Sequence, residues 1–198
     1  MGCRRRAFPA CVSAGLAGAE WVSEIRRKAF EVLDEIDPPG PDGDVWGYSR
    51  IADLDLDGFA PLKRQHASNS VVERDLSRFG LMAGVVVIRN GWVVENTLES
   101  GLAEAGVTIG PIADLEDGSD HLGSAIDFPV DLFGHLNLAF VPAPVAIVVP
   151  DGVQVDGPVV VVFLTYANAS AVFPRAGSST PLRAHSTKAN HVRRLHPK

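Results

Sequence analysis

Cysteine is nearly missing from this chain, with Cys3 and Cys11 the only two and both near the start. They cannot staple the body of a fold, so nothing in cysteine usage points to an oxidising compartment. Acidic residues stop at Asp156. Beyond it lie Arg175, Arg183, Lys188, Arg193, Arg194 and Lys198, so the net charge of −6 hides an acidic body and a basic end. That basic end has no aromatic platform, which weighs against single-strand nucleic-acid binding and leaves only nonspecific phosphate contact. No nucleic-acid partner is expected.

Long apolar runs are also missing. The gaps free of charge between Asp131 and Asp151, and between Asp156 and Arg175, approach the length of a membrane span. The first is broken by His135, Asn137, Pro142 and Pro144, the second by Asn168 and Ser170, and no membrane partner is expected. Arg4-Arg5-Arg6 ahead of Ala7–Leu16 faintly imitates a secretory signal, but Pro9, Ser13 and Gly15 thin its apolar part. Met1-Gly2 opens like a myristoylation site, yet Arg6 stands where Ser or Thr is required. A cytoplasmic protein is expected.

The chemistry-bearing motifs are missing too. There is no Gly-rich phosphate loop, CxxC pair, HExxH or GxSxG. His66, His121, His135, His185, His191 and His196 do not pair with one another, or with Cys or carboxylates, at metal-site spacing. His135 reads as a packed or surface histidine. Cys3 and Cys11 match no cluster-binding pattern. Asp53, Asp55 and Asp57 with Gly58 imitate a calcium loop, but Arg64 occupies the position where an EF-hand needs a bidentate Glu, so they read as a solvated face. No catalytic, cofactor-binding or metal-binding residue is assigned, and no enzyme activity is expected.

What is present begins with an amphipathic pattern over residues 20–36. Trp21, Ile25, Ala29, Val32, Leu33 and Ile36 recur at helical spacing, and Glu24 with Lys28 adds an ion pair one turn apart. Asp37-Pro38-Pro39-Gly40-Pro41 stops the helix. Trp46 and Tyr48 read as a loop pinned to a core with a wet tip. Residues 51–59 read as a half-exposed strand or turn, and 62–80 as a linker with at most a short helix near Val71–Phe79. Leu81–Arg89, Asn90-Gly91 and Trp92–Glu95 then form a strand, a tight turn and a returning strand. A short turn over Leu98–Ala105, a strand at Gly106–Ile109, a partial helix over Ala113–Ala125 and a helix over Asp131–Phe140 capped by Asp131 follow.

The chain is organised around His135–Phe173. Pro144–Val149 and Pro158–Thr165 are rich in β-branched residues and bounded by Asp151-Gly152 and Asp156-Gly157-Pro158. Such runs predict strands buried on both faces, as in parallel sheets or solenoids.

One series of motifs carries a resemblance. Trp46-x-Tyr48-Ser49-Arg50 follows the Pro-rich stop. VVVIRNGWVV (85–94), Gly106-Val107, LNLAF (136–140), VVPDGVQVDGPVVV (148–161) and AVFPR (171–175) come after it in that order. This series resembles the SufB/SufD family, scaffold subunits of SUF-system iron–sulfur cluster assembly, and SufD more closely. The resemblance implies an N-terminal helical region leading into a right-handed parallel β-helix. It also implies pairing with a SufB-like subunit through the β-helix, and docking of a SufC-type ATPase by a C-terminal segment. The family's complex handles an iron–sulfur cluster, but no cofactor is expected in this chain.

Two departures stand out. Gly47 replaces the basic residue usual between the loop aromatics. After Arg175 the family continues with strands, whereas Ala176–Lys198 has no strand pattern. The SufC-docking segment and the region of the family's cluster-ligand candidates are therefore expected to be absent, as in a truncated or frame-shifted product. The expected fold class is α+β. Its parts are a disordered N-terminus over 1–19, a helix and Trp/Tyr loop region over 20–80, strands leading into a partial β-helix over 81–175, and a disordered basic tail over 176–198. The strand near Val159–Thr165 should present unpaired backbone groups. A carbohydrate-active or acyl-transferring β-solenoid enzyme is the alternative, but 141–175 lacks the carboxylate cluster such chemistry needs.

Overall fold

The computed structural model describes residues 8–40, 46–62, 76–122, 129, 131–166, 169–173 and 176–177. Helices and strands are mixed in an α+β arrangement. The helices are α1 (Ala10–Ala14), α2 (Glu20–Glu31), α3 (Ser100–Glu104), α4 (Gly118–His121) and α5 (Leu132–Phe140). The strands are β1 (Ala60–Pro61), β2 (Gly84–Arg89), β3 (Trp92–Leu98), β4 (Thr108–Pro111), β5 (Val145–Val148), β6 (Val159–Leu164), β7 (Ser170–Ala171) and β8 (Ala176–Gly177). No helix among the described residues is long and apolar enough to cross a membrane.

The helical part forms because α2 has one face to hide. Val22, Ala29 and Leu33 are buried on it, and α2 gives way to a tight helical turn over Leu33–Glu35. This face is rotated from the expected one, for Trp21, Ile25, Val32 and Ile36 are only half-buried. Arg26 takes the place in the stripe that the apolar count left empty. The Glu24–Lys28 pair forms at 3.6 Å, and Glu24 also binds Arg27 at 2.6 Å. Across from α2 lies α5, capped by the Asp131 carboxylate, which accepts the Gly134 N–H at 2.8 Å. Leu132, Leu136, Ala139 and Phe140 of α5 pack with Phe8, Ala29 and Leu33.

The N-terminus corrects an expectation. Residues 8–19 are not a disordered leader, because α1 forms and Phe8 and Leu16 are buried. The Ser13 hydroxyl donates to Ala139 O at 2.5 Å, tying α1 to the end of α5. Within this stretch Phe8 belongs to the helical core and Val12 packs against it. Residues 1–7, with Cys3, lie outside the described residues.

Among the described residues the strands form three small sheets. The β2–β3 hairpin turns at Asn90 (φ 52) and Gly91 (φ 93), as the Asn-Gly pair predicts. A Cβ at Gly91 would sit 2.5 Å from Pro142 Cγ, so the turn also needs glycine for close packing. The sheet order is β3-β2-β6, with β6 parallel to β2 from Gly84↔Val159 to Arg89↔Leu164. A second sheet runs β4-β5-β8, with β8 parallel to β5, and β7 pairs parallel with β1. Val86, Ile88 and Val145 make the core between the first two, with Val93, Ile109 and Val161 packed around them.

Burial departs from expectation at β6. Pro158–Thr165 was expected to be hidden on both faces, but Val159–Val162 are half-buried and Phe163 is 50% exposed. Among the described residues the strand has a neighbouring strand on one edge only. Residues 51–59 are tight helical turns, not a strand: Ile51–Asp53 and Leu56–Gly58. Of the tail over 176–198, Ala176–Gly177 are a strand, which corrects that boundary; 178–198 lie outside the described residues. So does most of the 62–80 linker, apart from the turn Ser77–Phe79 and its immediate neighbours.

Candidate functional site

Among the described residues, those that imitate chemical motifs form no group of three or more that could hold a metal ion. Asp53 is paired with Arg50 at 2.6 Å, and Asp55 accepts the Asp57 N–H at 3.0 Å, so this cluster closes its own turns on an exposed surface. His121 meets Asp117 one turn away at 3.0 Å. His135 is 4% exposed on α5, a packed histidine. Asp151 is exposed in a turn, and Asp156 accepts from Gln154 at 2.8 Å. Cys11 is exposed. Among the described residues no group of three or more His, Cys, Asp or Glu could hold a metal ion. His66, His185, His191 and His196 lie outside the described residues.

The Trp/Tyr loop splits in two. Trp46 packs edge-on against Phe133 of α5 with centroids 5.2 Å apart, while Tyr48 is 106% exposed. The expected pinning is the work of Trp46 alone.

What the fold assembles instead is a set of strand edges. After β5 the chain lays down β6, β7 and β8 in succession, and each pairs in parallel with an earlier strand of a different sheet. Each is the outermost strand of its sheet among the described residues. The connections between them are short. Phe173 reaches back into the helical core, with its ring 5.7 Å from Phe140 and 6.0 Å from Phe8. Asn90 ties the end of β2 to the end of β6: its N–H donates to Leu164 O at 2.8 Å, and its Oδ1 accepts the Tyr166 N–H at 3.0 Å. The chemistry that the described residues place at these edges is that of backbone donors and acceptors with apolar side chains, the kind that can add a strand.

Behind this surface Arg26 acts as a clamp. It is 1% exposed and donates through Nε to Val141 O (2.8 Å), through Nη1 to Leu16 O (2.9 Å), and through Nη2 to Ala17 O (3.1 Å) and Pro142 O (2.8 Å). Burial pushes the guanidinium down from its ordinary value. The carbonyl dipoles just past the C-terminus of α5 face the cation, a favourable arrangement for positive charge. The planar fork suits these convergent acceptors. Apolar periodicity could not have found this residue; an arginine inside an otherwise apolar helical stripe is the only signal it left. Beside the clamp a cleft of about 320 Å³ is lined by Gly18, Val22, Trp92, Pro142, Pro144 and a single charged side chain, Asp114, among others.

Among the described residues the strongly shifted surface carboxyl is Glu24, which the Arg27 hydrogen bond holds at about 2; the same contacts raise Arg27. This is an exposed ion-pair cluster, joined also by Glu31 on Arg27, and it has no catalytic geometry. No protein-family model matches the chain, and no curated protein matches it.

Proposed function

We propose that this chain is the N-terminal part of a SufD-like scaffold, acting in iron–sulfur cluster assembly through protein–protein contacts in the cytoplasm. One observation carries the reading. The consecutive strands β6, β7 and β8 each stack in parallel on a strand laid down earlier, in three different sheets. Strands that return in succession to pair in parallel with earlier strands are what the opening of a parallel β-helix would require, since in such a solenoid every layer buries its neighbour. This supports the architecture that the motif series implies, with the helical region of α1, α2 and α5 closing one side. In this reading the partner is a SufB-like subunit, the cluster is cargo of the complex, and the segment that would recruit a SufC-type ATPase is not supplied by residues 1–198.

Co-expression tests it. The tagged chain should retain a SufB-type subunit through affinity purification and gel filtration, and should not retain a SufC-type ATPase at micromolar concentration. Loss of the SufB-type subunit on washing removes the scaffold reading. Direct retention of the ATPase removes the claim about docking.

A further inference from the structure

The Asn90-Gly91 turn is made reactive by its sequence and disarmed by its fold. Asn90 is the one asparagine in the chain that glycine follows. An asparagine so placed tends to cyclise: the next backbone nitrogen attacks Cγ, and glycine, having no Cβ, leaves the approach open. Here Asn90 is 7% exposed at a φ of 52, and its contacts oppose ring closure. Its N–H donates to Leu164 O at 2.8 Å. Its Oδ1 accepts the Tyr166 N–H at 3.0 Å, and cyclisation swings that oxygen away from its donor. Gly91 lies so close to Pro142 that a Cβ there would stand 2.5 Å from Cγ, so rotation of the Asn90–Gly91 peptide is opposed as well.

These restraints are not equally firm. Strand β6 ends at Leu164, and Tyr166 beyond it is 58% exposed. The contact that holds the reactive amide therefore comes from just past a strand end, where local opening costs least.

We propose that Asn90-Gly91 is a gated self-modification site, inert while the Tyr166 N–H holds Oδ1 and converted to aspartate and isoaspartate when the end of β6 releases. The Gly91 nitrogen gives up its proton and bonds to Cγ. The Cγ–Nδ2 bond breaks, and Nδ2 leaves with that proton as ammonia. Water, the sole co-reactant, then opens the imide. Attack at Cγ gives aspartate with the original backbone, and attack at the Asn90 main-chain carbonyl routes the backbone through Cγ as isoaspartate. The two products behave differently. Aspartate keeps the length of the turn and an acceptor for the Tyr166 N–H, so it recloses. Isoaspartate adds a carbon to the backbone of a tight turn whose positive φ angles set the β2–β3 register, so it does not. Each opening that ends in isoaspartate is recorded permanently. The inference rests on the chemistry of the turn and stands apart from the scaffold reading.

Peptide mapping by mass spectrometry on the full chain at neutral pH reads the conversion. Asn90 should convert at least about tenfold more slowly in the folded chain than in the chain unfolded by urea, because its contacts must open first. Tyr166→Pro removes the N–H and should speed conversion about five- to tenfold with circular dichroism unchanged. Tyr166→Phe keeps the N–H and should convert at the parent rate. The exposed Asp151-Gly152 pair, which cyclises by the same route with loss of water, is the reference and should isomerise equally in the parent and both variants. If Tyr166→Pro does not fold, the parent decides alone: below the unfolding transition in urea, Asn90 conversion and Tyr166 amide exchange should rise by the same factor. Conversion as fast in the folded chain as in the unfolded one, a folded Tyr166→Pro at the parent rate, acceleration in Tyr166→Phe, or conversion that does not follow Tyr166 exchange overturns the proposal.

Discussion

Two valine runs, Gly84–Arg89 and Val159–Leu164, lie hydrogen-bonded side by side in one sheet, yet their surroundings differ. In β2, Val86 and Val87 are 0% exposed, with β3 on one edge, β6 on the other and Val145 against Val86 and Ile88. In β6 the same residue types are half-buried, and Phe163 looks outward. β-Propensity explains why both are extended. It says nothing about which becomes the centre, because that depends on how many neighbours the rest of the chain delivers. The first run receives a hairpin partner at once, across Asn90-Gly91, and a second partner only when the chain returns. The second run closes the gap beside the first and, among the described residues, has no strand on its other edge.

The largest test of this contrast is a buried charge. Val86→Asp should cost more than about 4 kcal/mol in chemical denaturation, whereas Phe163→Asp should stay within about 1 kcal/mol of the parent at a concentration where both are monomeric. Equal losses would erase the distinction between centre and edge. Next in size is the clamp that holds the helices beside the strands. Arg26→Met strands the carbonyls of Leu16, Ala17, Val141 and Pro142, and should cost about 3 kcal/mol. Arg26→Lys should recover little of it, because an ammonium cannot reproduce the planar fork.

The tie between the ends of β2 and β6 comes third. Asn90→Ala removes the acceptor of the Tyr166 N–H and puts alanine at a positive φ, for about 1–2 kcal/mol. Amide exchange should quicken at Tyr166 while the Val86 amide stays protected at the parent level. A uniform rise across both strands would mean that they open as one unit. The smallest effect belongs to Glu24 on the helical side. Its folded-state pKa of about 2 lies below the ordinary 4.5, so its stabilising contribution is present above pH 4.5 and disappears as pH falls through 2. The pH dependence of stability in that window should flatten in Glu24→Gln, and salt should weaken it, since the pair is exposed. Strand β6 carries no titrating group, and its local opening should not follow this profile.

Much of the local structure was legible. Asn90-Gly91 names its turn, Asp131 names the start of α5, and the Glu24–Lys28 spacing names its pair, because each is decided within a few residues. The segment near Val159–Thr165 is not the last strand, for β7 and β8 follow it, although among the described residues it has a strand on one edge only. The order of the second layer was not legible, since pairing Val159 with Gly84 joins residues far apart in the chain and leaves no local trace. Residues 8–19 misled for a related reason. Their thin apolar content reads as a disordered N-terminus until Phe8 is seen packed with residues of α2 and α5 and Leu16 is seen buried. The candidate site is least legible of all, being made of backbone groups that every sequence possesses.

By itself, then, the sequence determined which stretches are helix, strand and turn, where charge is missing, and that no familiar catalytic motif is present. Propensity, capping and turn chemistry are short-range effects that each segment carries with it. Only the tertiary structure decided that Arg26 goes inside, that β2 is central while β6 is an edge, and that three successive strands stack on three earlier ones. Those outcomes follow from competition for a limited number of buried places and backbone partners, which no segment settles alone. The cation is admitted because four carbonyls converge on it, and the edge stays open because the described chain brings no further strand to it.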